Sequence, residues 1–197
     1  MLQHVIGVFT QPKKEWEVVR DAKCTLFECY VKHVLLLAAI PPVCAFIGAT
    51  KVGWSIGDHT FRLTAASTLP MAIGFYLFSL LAIYIMGRAI EWMAHTFDAT
   101  VSLDKSILIA TQVVTPLFLS GFIALFPIPW LIMLVGIVAM GYTVYLMYTG
   151  IPIVLEIEPE KGFILASGVL TVGLVTMVGV MATTVILWGM GFGPQYA

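Results

Sequence analysis

Apolar and polar positions along this chain fall into long blocks, not short alternations. Five apolar runs, at about residues 31–49, 67–88, 106–126, 130–150 and 163–188, each approach the roughly 20 residues that cross about 30 Å of hydrocarbon. Only Pro127, Ile128 and Pro129 separate the third run from the fourth. A merged helix would be far too long, so the pattern predicts two helices in a tight hairpin, with Trp130 at the interface. Ahead of the first run, Trp16, Val19, Leu26, Phe27, Tyr30 and Val34 recur near helical spacing over residues 13–34, and Lys13, Lys14, Arg20, Lys23 and Lys32 make the other face basic. Pro12 suits the start of that helix. Such a segment either lies among lipid headgroups or packs as a helix on the spans.

Charge adds an orientation. With the N-terminus inside, the inner segments hold Lys13, Lys14, Arg20, Lys23, Lys32, Arg88, Lys105 and Lys161, and the outer ones hold Lys51 and Arg62. The predicted fold is all-α integral membrane, N-in and C-out, with residues 1–30 as a cytoplasmic amphipathic segment and 31–197 as the five-helix transmembrane domain. The Gly-rich, polar loop at 50–66 is then external, and the loop at 88–105 cytoplasmic. Residues 1–10 have neither a basic start nor a cleavage site, so the first span is expected to direct insertion.

Composition agrees with bilayer residence: 60 % of the 197 residues are apolar and 11 % charged, and the mean hydropathy is +0.99. A net charge of -1 offers no footprint for nucleic acid. Cys24, Cys29 and Cys44 form no CxxC pair and are expected to be free thiols.

Chemistry has few places to reside. Pro41 and Pro42 fall in the middle of the first span, where two missing N–H groups predict a kink or break. Neighbouring hydroxyls could meet the freed carbonyls, or the break could line a pathway. Gln112, Thr115 and Pro116 mark a second weak point, and Tyr145 adds a polar group, so these six residues form the candidate core site or pathway. No Asp, Glu, Lys or Arg occurs in residues 33–49, 67–87, 106–155 or 163–197, which removes the charge-changing groups that coupled transport requires at membrane depth. Arg88 and Glu91, at i,i+3, are expected to pair, and with His95 they form a candidate cytoplasmic contact surface. Cys29 with His33, and Glu91 with His95, share helix faces at i,i+4, yet neither has the ligand count of a metal site; Cys29 and His33 remain weak metal candidates only. Glu156, Glu158 and Glu160 form an acidic loop suited to the basic arm. Gly168, Gly173, Gly179 and Thr183 predict close helix contact, within or between subunits, and Gly189, Gly191 and Gly193 a flexible exit. No nucleophile elbow, HExxH or P-loop appears, so no catalytic residue and no cofactor is assigned.

The order of these features carries a resemblance. Pro12 with Glu15-Trp16, the first span LLLAAIPPVCAFIG from Leu35 to Gly48, MGR at Met86 to Arg88, TPLFLSG at Thr115 to Gly121 and YTGIP at Tyr148 to Pro152 resemble the bacterial Yip-domain proteins, close to the YohC inner-membrane group. The resemblance covers nearly the whole chain. It implies a five-helix membrane domain with a cytoplasmic N-terminus, in a bacterial inner membrane. The eukaryotic branch engages small Rab GTPases, but its Asp-Leu-Tyr-Gly-Pro element has no clear counterpart before the first span here, so that partner is not carried over. The expected function is a non-catalytic, membrane-organising protein that binds lipid, itself or other membrane proteins; a passive channel or transporter for an ion, metal or small solute is the alternative.

Overall fold

The computed structural model describes residues 7–22, 34–56, 59–97 and 99–196. Its main elements are α1 (Pro12–Asp21), α2 (Leu35–Ile47) running into a π-helical turn (Gly48–Val52), β1 (Trp54–Ile56), β2 (His59–Phe61), α3 (Ala65–Thr96), α4 (Leu103–Ser120) extended by a 3-10 turn (Gly121–Leu125), α5 (Pro129–Leu155) and α6 (Pro159–Leu187) ending in a second π-turn (Trp188–Phe192). Among the described residues, five stretches are long and apolar enough to cross a membrane: Leu35–Val52, Ala65–Thr96, Leu103–Leu125, Pro129–Leu155 and Pro159–Gly191. Proline opens α1, α5 and α6, where its missing N–H would be unpaired in any case. Thr64 and Ser102 cap α3 and α4, accepting hydrogen bonds from the Ser67 and Lys105 amides.

The centre of the bundle is α4. Every residue from 106 to 113 is buried, including Ser106, Thr111 and Gln112, because α2, α3 and α5 surround the helix. Helix α6 packs on α3 and α5 through its first half, where the methionine side chains of Met93 and Met86 lie over Gly168 and Gly173; beyond these, Gly179 faces open space. Of the small residues of the last span, Gly168 and Gly173 therefore serve helix contacts inside the chain, whereas Gly179 and the exposed Thr183 do not.

Glycine notches join the helices, and the motifs that carried the family resemblance meet one another at them. A side chain at Gly121 would stand 2.7 Å from the Pro41 Cα, and one at Gly48 would run into the Ala124 carbonyl. The IPP of α2 thus rests on the end of TPLFLSG. Gly87 of MGR accommodates Ile107, Gly162 accommodates Pro152 of YTGIP, and Gly150 of the same motif accommodates the Trp16 indole.

Four expectations change in the structure. Helix α2 continues through Pro41 and Pro42 without a break, because the Pro41 ring is seated against Gly121 and lateral packing offsets the two lost helix hydrogen bonds. The amphipathic helix predicted over 13–34 is interrupted after Asp21, where Ala22 is extended; its residues 23–33 lie outside the described residues. Part of the 50–66 loop is a β-hairpin, pairing Trp54 with Phe61 and Ser55 with Thr60. Finally, the C-terminal exit is tied down: Gly191 turns at φ 93°, Leu63 bridges Tyr196, and the Gln195 carbonyl accepts from the Thr64 amide at 2.8 Å.

Candidate functional site

The end of the bundle where α4 begins and α5 stops carries most of the described charge, arranged around the N-terminal arm. Helix α1 lies along α5. Trp16, 2 % exposed, sits on Gly150, and Val8 and Val19 are also buried in the bundle core. One turn before α1, the Tyr142 hydroxyl donates to the Val8 carbonyl at 2.7 Å and its ring stacks on Phe9 at 5.3 Å. Of the two arrangements open to a basic amphipathic segment, α1 adopts the packed one. Lys13, Lys14, Glu17 and Val18 remain exposed on its outer face.

Lys105 fastens the other end of the arm. Its Nζ donates to the carbonyls of Val19 at 2.8 Å, Arg20 at 2.7 Å and Ala22 at 2.6 Å, placing a cation at the negative end of the α1 dipole. These three acceptors explain why the helix stops where it does. Arg20 Nε donates to Asp21 Oδ1 at 3.0 Å, which holds the Asp21 carboxyl below its usual range, and also approaches Glu156 Oε1 at 3.7 Å. The contact expected between the basic arm and the acidic loop is therefore made, by Glu156, whose left-handed backbone (φ 52°, ψ 40°) ends α5. Arg20, Asp21, Ala22, Ser102, Asp104, Lys105 and Leu108 line a polar cleft of about 320 Å³ beside the clasp. Replacing Lys105 by methionine should weaken arm docking by about 2 kcal/mol, seen as roughly thirtyfold faster amide exchange over residues 12–22. Unchanged exchange would show that the lysine does not hold the arm.

The residues singled out from sequence are scattered over three settings. Arg88 and Glu91 form the expected pair, Nη1 to Oε2 at 2.6 Å, and His95 lies exposed one turn further along α3. Pro42, Gln112, Thr115 and Pro116 are buried on the packed helices α2 and α4, but Tyr145 is 44 % exposed on α5, its ring 5.6 Å from Tyr142, so it stands apart from them. Thr115 donates to Thr111 O at 2.9 Å and Thr111 to Ile107 O at 2.8 Å, so both hydroxyls bond their own helix. The hydroxyl that does reach α2, Tyr76, donates to Leu35 O at 3.2 Å and not to the Leu37 and Ala38 carbonyls that the two prolines leave without a helical donor. Cys29 and His33, like Cys24, lie outside the described residues; Cys44 is buried and free. Sequence reasoning counted Lys105 only for orientation. One signal was available, since a lysine in the first turn of a helix opposes the dipole and is better used elsewhere.

Five apolar helices and an arm clasped to one end define a polytopic helical membrane protein. The Yip1 domain model matches residues 6–180, and the chain belongs to that family. It is 44 % identical over 192 residues to the inner membrane protein YohC of Escherichia coli strain K12, covering 97 % of this chain and 98 % of that protein, and equally similar to the YohC of E. coli O6:H1 strain CFT073. No solved structure gives a significant match.

Proposed function

We propose that this protein is a non-enzymatic organiser of the membrane, binding lipid around its spans and a protein, another copy included, at the clasped arm. The clasp carries the reading. Trp16, Tyr142 and Lys105 hold α1 in one place, so that Lys13, Lys14, Glu17 and Val18 face outward beside the polar cleft without any ordering on contact. Preorganisation of this kind favours binding. The unequal distribution of Lys and Arg supports a cytoplasmic arm end, and the names of the E. coli relatives support the inner membrane. Internal bonding of the α4 hydroxyls, and spans lacking groups that change charge, weigh against coupled transport.

A photo-crosslinker at Val18, activated in native membranes, is expected to give a discrete adduct that the same probe at Met133, exposed on α5, does not. Only monomer at both positions would sink the binding reading. Saturable, selective ion flux from proteoliposomes, altered by Pro42→Ala, would replace it with a channel or transporter.

A further inference from the structure

At the opposite end of the bundle, α2 and α3 leave a groove of about 290 Å³ between them, bordered by Pro42, Val43 and Phe46 on one side and Leu69, Ile73 and Tyr76 on the other. Its lining is wholly apolar. Tyr76 contributes only its ring, because its hydroxyl is turned to the Leu35 carbonyl at 3.2 Å. From Ala39 to Phe46 the groove runs about 10 Å along α2, and the exposed Val43, Leu69 and Ile73 on its borders leave it open on the apolar outer surface of the spans.

Charge sits above this groove in a pattern that names an occupant. Between Val34 and Gly87 the charged residues are Lys51, Asp58 and Arg62, all in the segment joining α2 to α3; Asp58 lies outside the described residues. Lys51 is exposed in the π-helical turn that ends α2, just past Phe46 at the outer end of the groove. Arg62 is exposed and, with Val52, Ser55 and Thr60, lines a polar hollow of about 600 Å³. Val52 closes the π-helical turn six residues past Phe46, so along the chain the hollow follows directly on the outer end of the apolar groove. An apolar slot that opens to lipid below two cations and a polar hollow has the layout of an amphiphile with an anionic head.

We infer that α2 and α3 hold an anionic phospholipid, one acyl chain in the groove of Pro42, Phe46, Leu69 and Ile73 and the phosphate against Lys51 and Arg62. The inference rests on the binding reading above and specifies its lipid component. Lys51 and Arg62 orient and select the lipid; the groove supplies contact area.

The test uses the purified full chain in vesicles carrying trace spin-labelled phosphatidylglycerol or phosphatidylcholine, reading the fraction of label immobilised by the protein. Wild type is expected to favour phosphatidylglycerol, and Lys51→Gln and Arg62→Gln should each lower that preference about fivefold. Ala72→Trp, which fills the groove, should reduce the immobilised fraction for both lipids. Equal association of the two lipids with wild type, or a preference that survives both charge substitutions, would overturn the proposal. Both charged side chains are exposed, so those variants keep the test decisive even if Ala72→Trp fails to fold. Retention is measured without any partner protein, so failure here and failure of the Val18 crosslink are separate results.

Discussion

Gly121→Val is expected to cost about 3 kcal/mol, at the upper end of what overpacking produces, and to leave α2 unable to close on α4. The cause is the identity of the neighbouring atoms. An added Cβ would meet the Pro41 Cα at 2.7 Å and its Cβ and Cγ at 2.8 Å each, so backbone and a rigid ring, not the end of a flexible side chain, would have to move. Further along the same seam Gly48 faces the Ala124 carbonyl, so neither helix can slide to relieve the first clash. The chain provides its own control: at Gly136 and Gly141 on α5 an added Cβ would have nothing within 4 Å, and Gly136→Val or Gly141→Val should change stability by less than about 0.5 kcal/mol. Unfolding in mixed micelles, followed by loss of helical signal, measures all of these. A Gly121→Val protein as stable as Gly136→Val would refute the seam.

The second large effect is expected at the arm. Trp16→Ala removes a ring that is 2 % exposed and seated on Gly150, and truncating a buried tryptophan costs roughly 3 to 5 kcal/mol. The arm sits outside the spans on a small set of contacts, Trp16 on Gly150, Tyr142 on Val8 and Lys105 at its end, so the loss should appear as local release and not as global unfolding. Trypsin would then cut at Lys13, Lys14 or Arg20 much faster than in the wild type while the helix content of the bundle persists. Trp16→Phe separates packing from hydrogen bonding. Among the described residues the Trp16 Nε1 has no hydrogen-bond partner, so phenylalanine keeps much of the contact and removes a buried donor that costs about 1 to 3 kcal/mol when unmet. That variant should stay clasped. Rapid cleavage in Trp16→Phe, or slow cleavage in Trp16→Ala, would count against the notch as the seat of the arm.

These two effects act at residues whose importance a sequence shows only in part. Gly121 and Gly150 belong to the TPLFLSG and YTGIP segments, and Trp16 to the Glu15-Trp16 pair, yet nothing in their order states that Gly121 receives Pro41 or that Gly150 receives Trp16. Pro41 and Pro42 show the same limit from the other side. Two adjacent prolines in a span locally favour a break, and the break is averted by a contact made about 80 residues further along the chain. The hairpin at 54–61 was legible in principle: Trp54–Ile56 and His59–Phe61 are separated by Gly57 and Asp58, the kind of spacing that marks two paired strands, but the run is too short to stand out beside five spans.

By itself the sequence determined the class of the protein, its five spans, the tight connection at residues 127–129 and the Arg88–Glu91 pair, because the free energy of burying apolar length and the geometry of a single helix turn are local quantities. Tertiary structure alone decided which glycine receives which side chain, where α1 stops, that Tyr145 lies apart from the α4 hydroxyls, and that the tail from Gln195 returns to the start of α3. Each of those depends on atoms from distant parts of the chain arriving within a few ångströms of one another, and in a membrane, where apolar surface meets equally apolar lipid, shape complementarity and buried hydrogen bonds are what select among the arrangements that hydrophobicity permits.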